Sequence, residues 1–323
     1  MCDGVIVMDK KVILVAGAAG FIPSTLSEFY LKQGHEVIGL DNFITGSRSN
    51  IEILNQYKNF KFYECNIYES LPNFKHQKID EIFSLASPAS PVDFQVLPME
   101  ILRVNSEGTM RLLDLAMEKK AKFLEASTSE VYGDPEIHPQ TEEYFGNVNS
   151  IGPRSCYDES KRYAEALTMN YHVHRNVNTR IVRIFNTYGP RMRPNDGRVI
   201  PNFINQALRG EDLIVYGDGS QTRSFCFVDD LVCAMDIVMS SNCHTPVNIG
   251  NPDEYSIYEC AQKIIEVLHS KSKVVCNNNL PKDDPKKRKP DIRKLKSLAP
   301  YEPQISFSEG MRKTAEYFKH LAL

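Results

Sequence analysis

The chain carries no excess of positive charge: 38 Lys and Arg stand against 41 Asp and Glu, for a net charge of −3. That balance argues against a general nucleic-acid binder. No apolar run approaches the roughly 20 residues of a membrane helix. The start, Met1 to Asp9, has too short an apolar stretch for a secretory signal, and an acid, Asp3, where such a signal is basic. The eight cysteines form no Cys-x-x-Cys pair; the nearest two, Cys226 and Cys233, are seven apart. They read as reduced thiols of a cytoplasmic protein. There is no His-Glu-x-x-His, and His172 and His174, two apart, would point to different faces of a helix, so no metal site is expected. Repeats and low-complexity segments are also missing.

What is present is ordinary for a globular protein: 323 residues, 42% hydrophobic and 24% charged. At about 150 residues per domain this is two domains, or one large domain with an appended lobe. The first half alternates strand and helix signals. Lys11 to Ala16, His35 to Leu40, Lys61 to Cys65, Glu81 to Leu85, Lys122 to Ser127 and Thr179 to Ile184 are short runs that suit buried parallel strands. Ile22, Leu26, Phe29 and Tyr30 share a helix face. A second helix, from about Ile101 to Lys119, places Val104, Gly108, Leu112 and Leu115 on one side, and Cys156 to His174 reads as a third.

This order predicts an α/β protein, a Rossmann-type doubly wound parallel sheet. After Tyr188-Gly189-Pro190 the pattern loosens into short strands (Leu213 to Tyr216, Pro246 to Ile249) and helices (Val228 to Ser241, Ser256 to His269, Ser308 to His320). We expect a dinucleotide-binding domain over 1–186, joined by a strand at 245–250, and a smaller mixed substrate lobe over 187–323. The run Lys286-Lys287-Arg288-Lys289-Pro290, with its neighbouring acids, reads as a loop.

Gly17-Ala18-Ala19-Gly20-Phe21-Ile22-Pro23 lies between the first strand and the first helix. Glycines there let a pyrophosphate approach the backbone, and the helix N-terminus presents free N–H groups to it. The alternative is a tight structural turn. Pro23 replaces the third glycine of the usual pattern and is tolerated in a first helical turn. Asp41 closes the second strand, where a carboxylate suits the adenosine ribose hydroxyls and repels a 2′-phosphate, favouring NAD over NADP; a strand-end turn aspartate is the alternative. Asn66 and Ile67 end the third strand, where adenine would lie.

Tyr157-Asp158-Glu159-Ser160-Lys161 sets a tyrosine and a lysine one helical turn apart. A nearby ammonium favours phenolate, which makes a general base for an alcohol proton. Taken alone, such a pair could be a surface pair. Thr128-Ser129-Glu130 follows the fifth strand, where sheet-end residues meet a ligand; these residues could equally cap a turn.

With these segments together, the chain resembles the extended short-chain dehydrogenases/reductases, and within them the UDP-glucuronate decarboxylase (UDP-xylose synthase) family. The likeness is carried by Ser87-Pro88-Ala89-Ser90-Pro91, by 127–135 around Thr128-Ser129-Glu130, and by Arg154-Ser155-Cys156-Tyr157 through Arg162. It continues in 183–192 with Asn186 and Arg191, in Tyr216 to Phe225 with Arg223, and in Asp283 to Ile292 with Arg288. The resemblance implies an NAD-dependent enzyme that cycles its cofactor within one turnover. Tyr157 would take the sugar O4 proton, Thr128 would hold the developing enolate oxygen, and Glu130 would assist proton traffic at C5, with Ser129 beside them. Lys161 would bond the nicotinamide ribose.

Gly17, Gly20, Phe21, Ile22, Asp41, Asn42, Asn66 and Ile67 would bind NAD. Ser90, Asn186, Arg191, Tyr216, Arg223 and Arg288 would hold the UDP-sugar, arginine forks matching phosphate and carboxylate. A homodimer is implied as well. Departures from the family pattern are Ala16, Pro23, Thr25, Asn66 and the stretch Val92-Asp93-Phe94-Gln95-Val96, where tyrosines are usual. A UDP-sugar 4-epimerase shares the Tyr-Lys pair, and a non-catalytic nucleotide-sugar or NAD(H) binding protein is the alternative of another class. A 4,6-dehydratase would need an acid at the position of Ser129.

Overall fold

A computed structural model describes residues 9–277 and 287–321. The first half runs β1 (Val12–Ala16), α1 (Phe21–Lys32), β2 (Glu36–Asp41), α2 (Arg48–Leu54), β3 (Phe60–Glu64) and β4 (Glu81–Ser84). It continues through α3 (Pro91–Val96), α4 (Pro98–Arg103), α5 (Thr109–Lys119), β5 (Lys122–Thr128), α6 (Ser155–Arg175) and β6 (Asn178–Ile184). The second half runs β7 (Thr187–Tyr188), α7 (Val199–Arg209), β8 (Leu213–Tyr216), β9 (Thr222–Ser224), β10 (Cys226–Phe227), α8 (Val228–Ser240), β11 (Val247–Ile249) and β12 (Glu254–Ser256). Then come α9 (Ile257–Leu268), β13 (Val274–Asn277), β14 (Lys287–Arg288), α10 (Arg293–Leu298) and α11 (Phe307–Leu321).

Seven parallel strands form the central sheet in the order β11-β6-β5-β4-β1-β2-β3. Burial on both faces explains why β1 is continuously apolar. Ile13 and Val15 pack into one layer with Leu26, Val232 and Met235, while Leu14 and Ala16 pack into the other with Leu112 and Phe123. The strand order reverses between β1 and β4, and a ligand crevice is expected outside the carboxyl ends of strands at such a point. The loops after β1, β4, β5 and β6 therefore converge on one edge. The late strand β11 joins this sheet, its Val247 to Ile249 pairing with Val182 to Ile184.

Past β6, β8 pairs with β13, and β9 is flanked by β12 and β14. α9 starts at a capping box in which Ser256 Oγ accepts from the Glu259 N–H at 3.1 Å and Glu259 Oε2 accepts from the Ser256 N–H at 2.8 Å.

Two expectations are corrected. The helix anticipated from Ile101 to Lys119 is interrupted by a wide π turn over Val104–Gly108. The wider turn aims Asn105 inward, its amide donating to Ser87 Oγ at 3.1 Å and Ser160 Oγ at 3.0 Å. Gly108 lies so close to Ile67 that a Cβ would sit 3.1 Å from that side chain. The basic run read as a loop instead places Lys287 and Arg288 in β14, parallel to Thr222 and Arg223. β9 supplies the ladder partners from 65 positions away, which local charge cannot reveal; residues 278–286, including Asp283 to Lys286, lie outside the described residues. The seven described cysteines are unpaired. Among the described residues no group of three metal-binding side chains converges, and no helix is long and apolar enough to cross a membrane.

Candidate active site

The carboxyl edge of the sheet opens into a cavity of about 510 Å³, and every candidate site residue taken from the sequence lines it. At one end is the loop after β1. Gly17 has φ +85°, and a Cβ there would sit 2.9 Å from Ala86 Cα, so only a glycine lets the loops after β1 and β4 approach this closely. The Ala19 N–H donates to Asp41 Oδ2 at 3.0 Å and the Phe43 N–H to Asp41 Oδ1 at 2.7 Å. Each carboxylate oxygen keeps a lone pair for a ribose hydroxyl. The N–H groups of Phe21 and Ile22, in the first turn of α1, have no acceptor within the helix. The glycine cradle, the helix N-terminus and the half-buried carboxylate thus fit a dinucleotide. Asn66 differs in detail from expectation: its amide oxygen already accepts from the Tyr68 N–H at 3.4 Å and its nitrogen donates to Glu69 at 3.2 Å.

At the other end stand Thr128, Ser129, Glu130, Tyr157 and Lys161. The Thr128 hydroxyl caps the turn after β5, accepting from the Glu130 N–H at 3.2 Å, and it faces the Tyr157 phenol, whose ionised form it favours. It therefore serves both the turn and the site. The Tyr157 ring stacks on Phe94, with centroids 4.9 Å apart.

The charge state of this phenol corrects the sequence expectation. Burial raises its pKa, Glu130 and Asp158 add to the rise, and Thr128 and Arg198 offset it only in part. Lys161 does not face it as an unopposed charge. Its ammonium donates instead to the Ala126 carbonyl at 2.7 Å and to Glu125 Oε1 at 3.2 Å.

Glu130 is clasped by two arginines: Arg154 Nη2 at 2.7 Å from Oε2, and Arg288, whose Nη2 donates to Oε2 at 3.0 Å while its Nη1 binds Oε1. Burial pushes this carboxyl up, but Arg288 and Arg154 outweigh it and hold it at about 2. Arg288 lies directly opposite Arg223 in the ladder, so two buried arginines stand side by side at the cavity wall. Arg223 donates to the Thr222 carbonyl at 2.8 Å. Arg191 lines the cavity but turns its guanidinium onto α1, bonding the Ser24 carbonyl at 3.0 Å and Glu28 at 2.5 Å. Ser90 Oγ donates to the Asp196 carbonyl, Asn186 contributes its carbonyl to the Cys226 N–H at 2.9 Å, and Tyr216 stands half-exposed at the rim.

The sequence pattern of the GDP-mannose 4,6 dehydratase family matches residues 14–314. UDP-glucuronic acid decarboxylase 1 of Xenopus tropicalis is 48% identical over 311 residues, which is 96% of this chain and 73% of that protein. UDP-glucuronic acid decarboxylase 6 of Arabidopsis thaliana is 45% identical over 308 residues, covering 95% of this chain and 88% of that one. The chain belongs to the UDP-glucuronate decarboxylase family of extended short-chain dehydrogenases/reductases. Among solved structures, UDP-glucuronic acid 4-epimerase from Bacillus cereus, in complex with UDP-glucuronic acid and NAD, superposes with a TM-score of 0.86 at 29% identity, covering 96% of this chain and 99% of that one.

Against this family background, several cavity residues escaped the sequence reading. Arg154 stood in a quoted segment without a role, although a cation just before a long helix next to Thr-Ser-Glu was a usable signal. Arg193 and Asp93, the latter in the stretch 92–96, pair at 2.6 Å, and Arg198 binds Asp196. Nothing local in the sequence links Arg193 to Asp93, 100 positions apart, whereas Asp196 and Arg198 are two apart. Glu125, behind the cavity wall and not lining it, did carry a signal, as a lone acid inside the apolar strand Phe123-Leu124-Glu125-Ala126.

Asp158, adjacent to Tyr157, is buried, and its Oδ1 has no partner among the described residues. Burial and the Glu130 carboxylate push it from 3.8 up to about 7. Between those values the folded protein holds the proton more tightly than the unfolded chain. Stability therefore falls as pH rises through the window and stays lowered above it. Asp158→Asn is expected to raise Tm more at pH 8 than at pH 4 in thermal melts; equal shifts at the two pH values would acquit Asp158.

Proposed function

We propose that the chain is an NAD-dependent carboxy-lyase that converts UDP-glucuronate to UDP-xylose through a C4 ketone. The observation that carries this reading is the meeting of Thr128, Glu130, Tyr157 and Lys161 at one end of a cavity whose other end is the glycine loop and Asp41. NAD⁺ held by the glycine loop, the start of α1 and Asp41 would supply the hydride acceptor for oxidation at C4 and, as NADH, the hydride donor for the return reduction once CO₂ has left.

The chain's own groups do the rest. Tyr157 takes the O4 proton. Thr128, facing the same phenol, donates to the oxygen that becomes the carbonyl and then the enolate, an oxyanion-type role. The ketone is β to the C6 carboxylate, so the electrons left at C5 delocalise into the carbonyl as CO₂ departs. Glu130, with a water, serves the proton at C5. Lys161 bonds the nicotinamide ribose. Asn186, Arg223 and Arg288, with Arg191 on the glycine-loop side and Ser90 and Tyr216 at the walls, hold the diphosphate and the sugar acid.

The deciding experiment supplies UDP-glucuronate and NAD and identifies the product by mass spectrometry. UDP-pentose with CO₂ supports the reading. UDP-galacturonate would make the protein a 4-epimerase, and binding without turnover a sensor.

The assembly we infer is a homodimer through α5 and α6. Met110 and Met117, seven apart and so on one face of α5, are exposed, as are Tyr163 and Val173 on α6 and Met99 and Leu102 on α4. Light scattering should give twice the chain mass at micromolar concentration; the mass of one chain would reject the dimer.

A further inference from the structure

The lysine of the Tyr-Lys pair has an unexpected companion. Glu125 points from β5 toward α6, its Oε1 3.2 Å from Lys161 Nζ, with side-chain exposures of 0% for the acid and 3% for the lysine. The second carboxylate oxygen, Oε2, is buried without a partner among the described residues. Glu125 does not line the cavity, so it cannot touch a ligand there. A cation one helical turn from a phenol favours phenolate. A buried cation held against a carboxylate acts at that distance as a dipole, whose field falls away faster than that of a lone charge. With both groups out of water, solvent and salt screen little of either effect.

We propose that Glu125 is a positioning residue that neutralises Lys161 and so sets the pH range in which Tyr157 works as a base. This rests on the reading of Tyr157 as the base of the decarboxylation. The surroundings of the phenol agree with it. Glu130 follows β5, Arg198 precedes α7, Asp158 lies on α6 itself, Thr128 ends β5, and the Phe94 ring covers the phenol from α3. One turn further along α6, Glu165 is matched by Arg183 at 2.8 Å and by Ser127 at 2.5 Å, which leaves that pair without net charge. Glu125 is thus the anion in direct contact with the ammonium.

The test is the pH profile of kcat/KM for UDP-glucuronate with saturating NAD. In Glu125→Gln, which keeps the shape and an oxygen for Lys161, the acid limb should move down by about one pH unit, with KM nearly unchanged. Glu125→Leu, the second variant should the amide fail to fold, should move the same way, and Glu125→Asp should return toward wild type. Adding Glu125→Gln to a Lys161→Met background should move nothing further. Acid limbs of the folded Gln and Leu variants that coincide with wild type would overturn the proposal, as would a shift that survives the loss of Lys161. A wild type that does not turn over UDP-glucuronate at all would instead overturn the functional reading beneath it.

Discussion

Tyr157→Phe is expected to lower turnover of UDP-glucuronate by about 10²- to 10⁴-fold, the range typical of removing a general base, while leaving binding of the nucleotide sugar nearly intact. The change deletes one oxygen and keeps the ring, so the stack on Phe94 at 4.9 Å persists and the fold has no cavity to absorb. The contacts proposed for the diphosphate belong to Asn186, Arg223 and Arg288, on other elements. Turnover and calorimetric binding, measured on the same preparation, separate the two quantities. A variant with wild-type turnover would show that the phenol is not the base, and loss of binding in proportion to turnover would show that its role is in holding substrate.

Glu130→Ala is expected to have the second largest effect, on two measurements. It leaves Arg288 and Arg154 facing each other in a buried site without their shared carboxylate, and breaking a buried ion pair in this way costs about 3–5 kcal/mol. The loss should depend on pH. A carboxyl held at about 2 in the folded protein, against an ordinary 4.5, contributes stability that is present above 4.5 and is lost as pH falls toward 2. The gap in urea stability between wild type and variant should therefore be full at pH 7 and narrow below pH 4.5; a gap independent of pH would rule out the ion pair as its source. In activity, the same variant should slow the steps after C4 oxidation, so that 4-keto sugar builds up in quenched samples. Full product at an unchanged rate would remove Glu130 from the proton path.

The parts of this site that could be read from the sequence are those written at the ends of strands. The glycine loop, Asp41, Thr128 and Asn186 each sit where a short apolar run stops, and in a parallel sheet all those stops fall on one edge. The Tyr157–Lys161 spacing needed only the pitch of a helix. What stayed hidden depends on partners far along the chain. The ammonium of Lys161 looked like an unopposed charge until β5 placed Glu125 beside it, 36 residues earlier. The burial that raises the Tyr157 phenol is a property of the assembled cleft. Arg288 looked like part of a solvated run because its strand partner, Arg223, is 65 positions away. The π turn at Val104–Gly108 answers to Ser87 and Ser160, which bond Asn105 from two other elements.

The stretch from Lys287 to Asp291 is buckled on both sides of the cleft. It pairs with β9 on the lobe side, while Arg288 reaches Glu130, and Lys289 and Asp291 exchange main-chain bonds with Gln140 from the loop after β5. A strap fastened in this way would couple the proposed grip on a sugar nucleotide to the integrity of the small sheets that follow β6. Mild unfolding of those sheets should announce itself as leaking substrate well before the parallel strands let go.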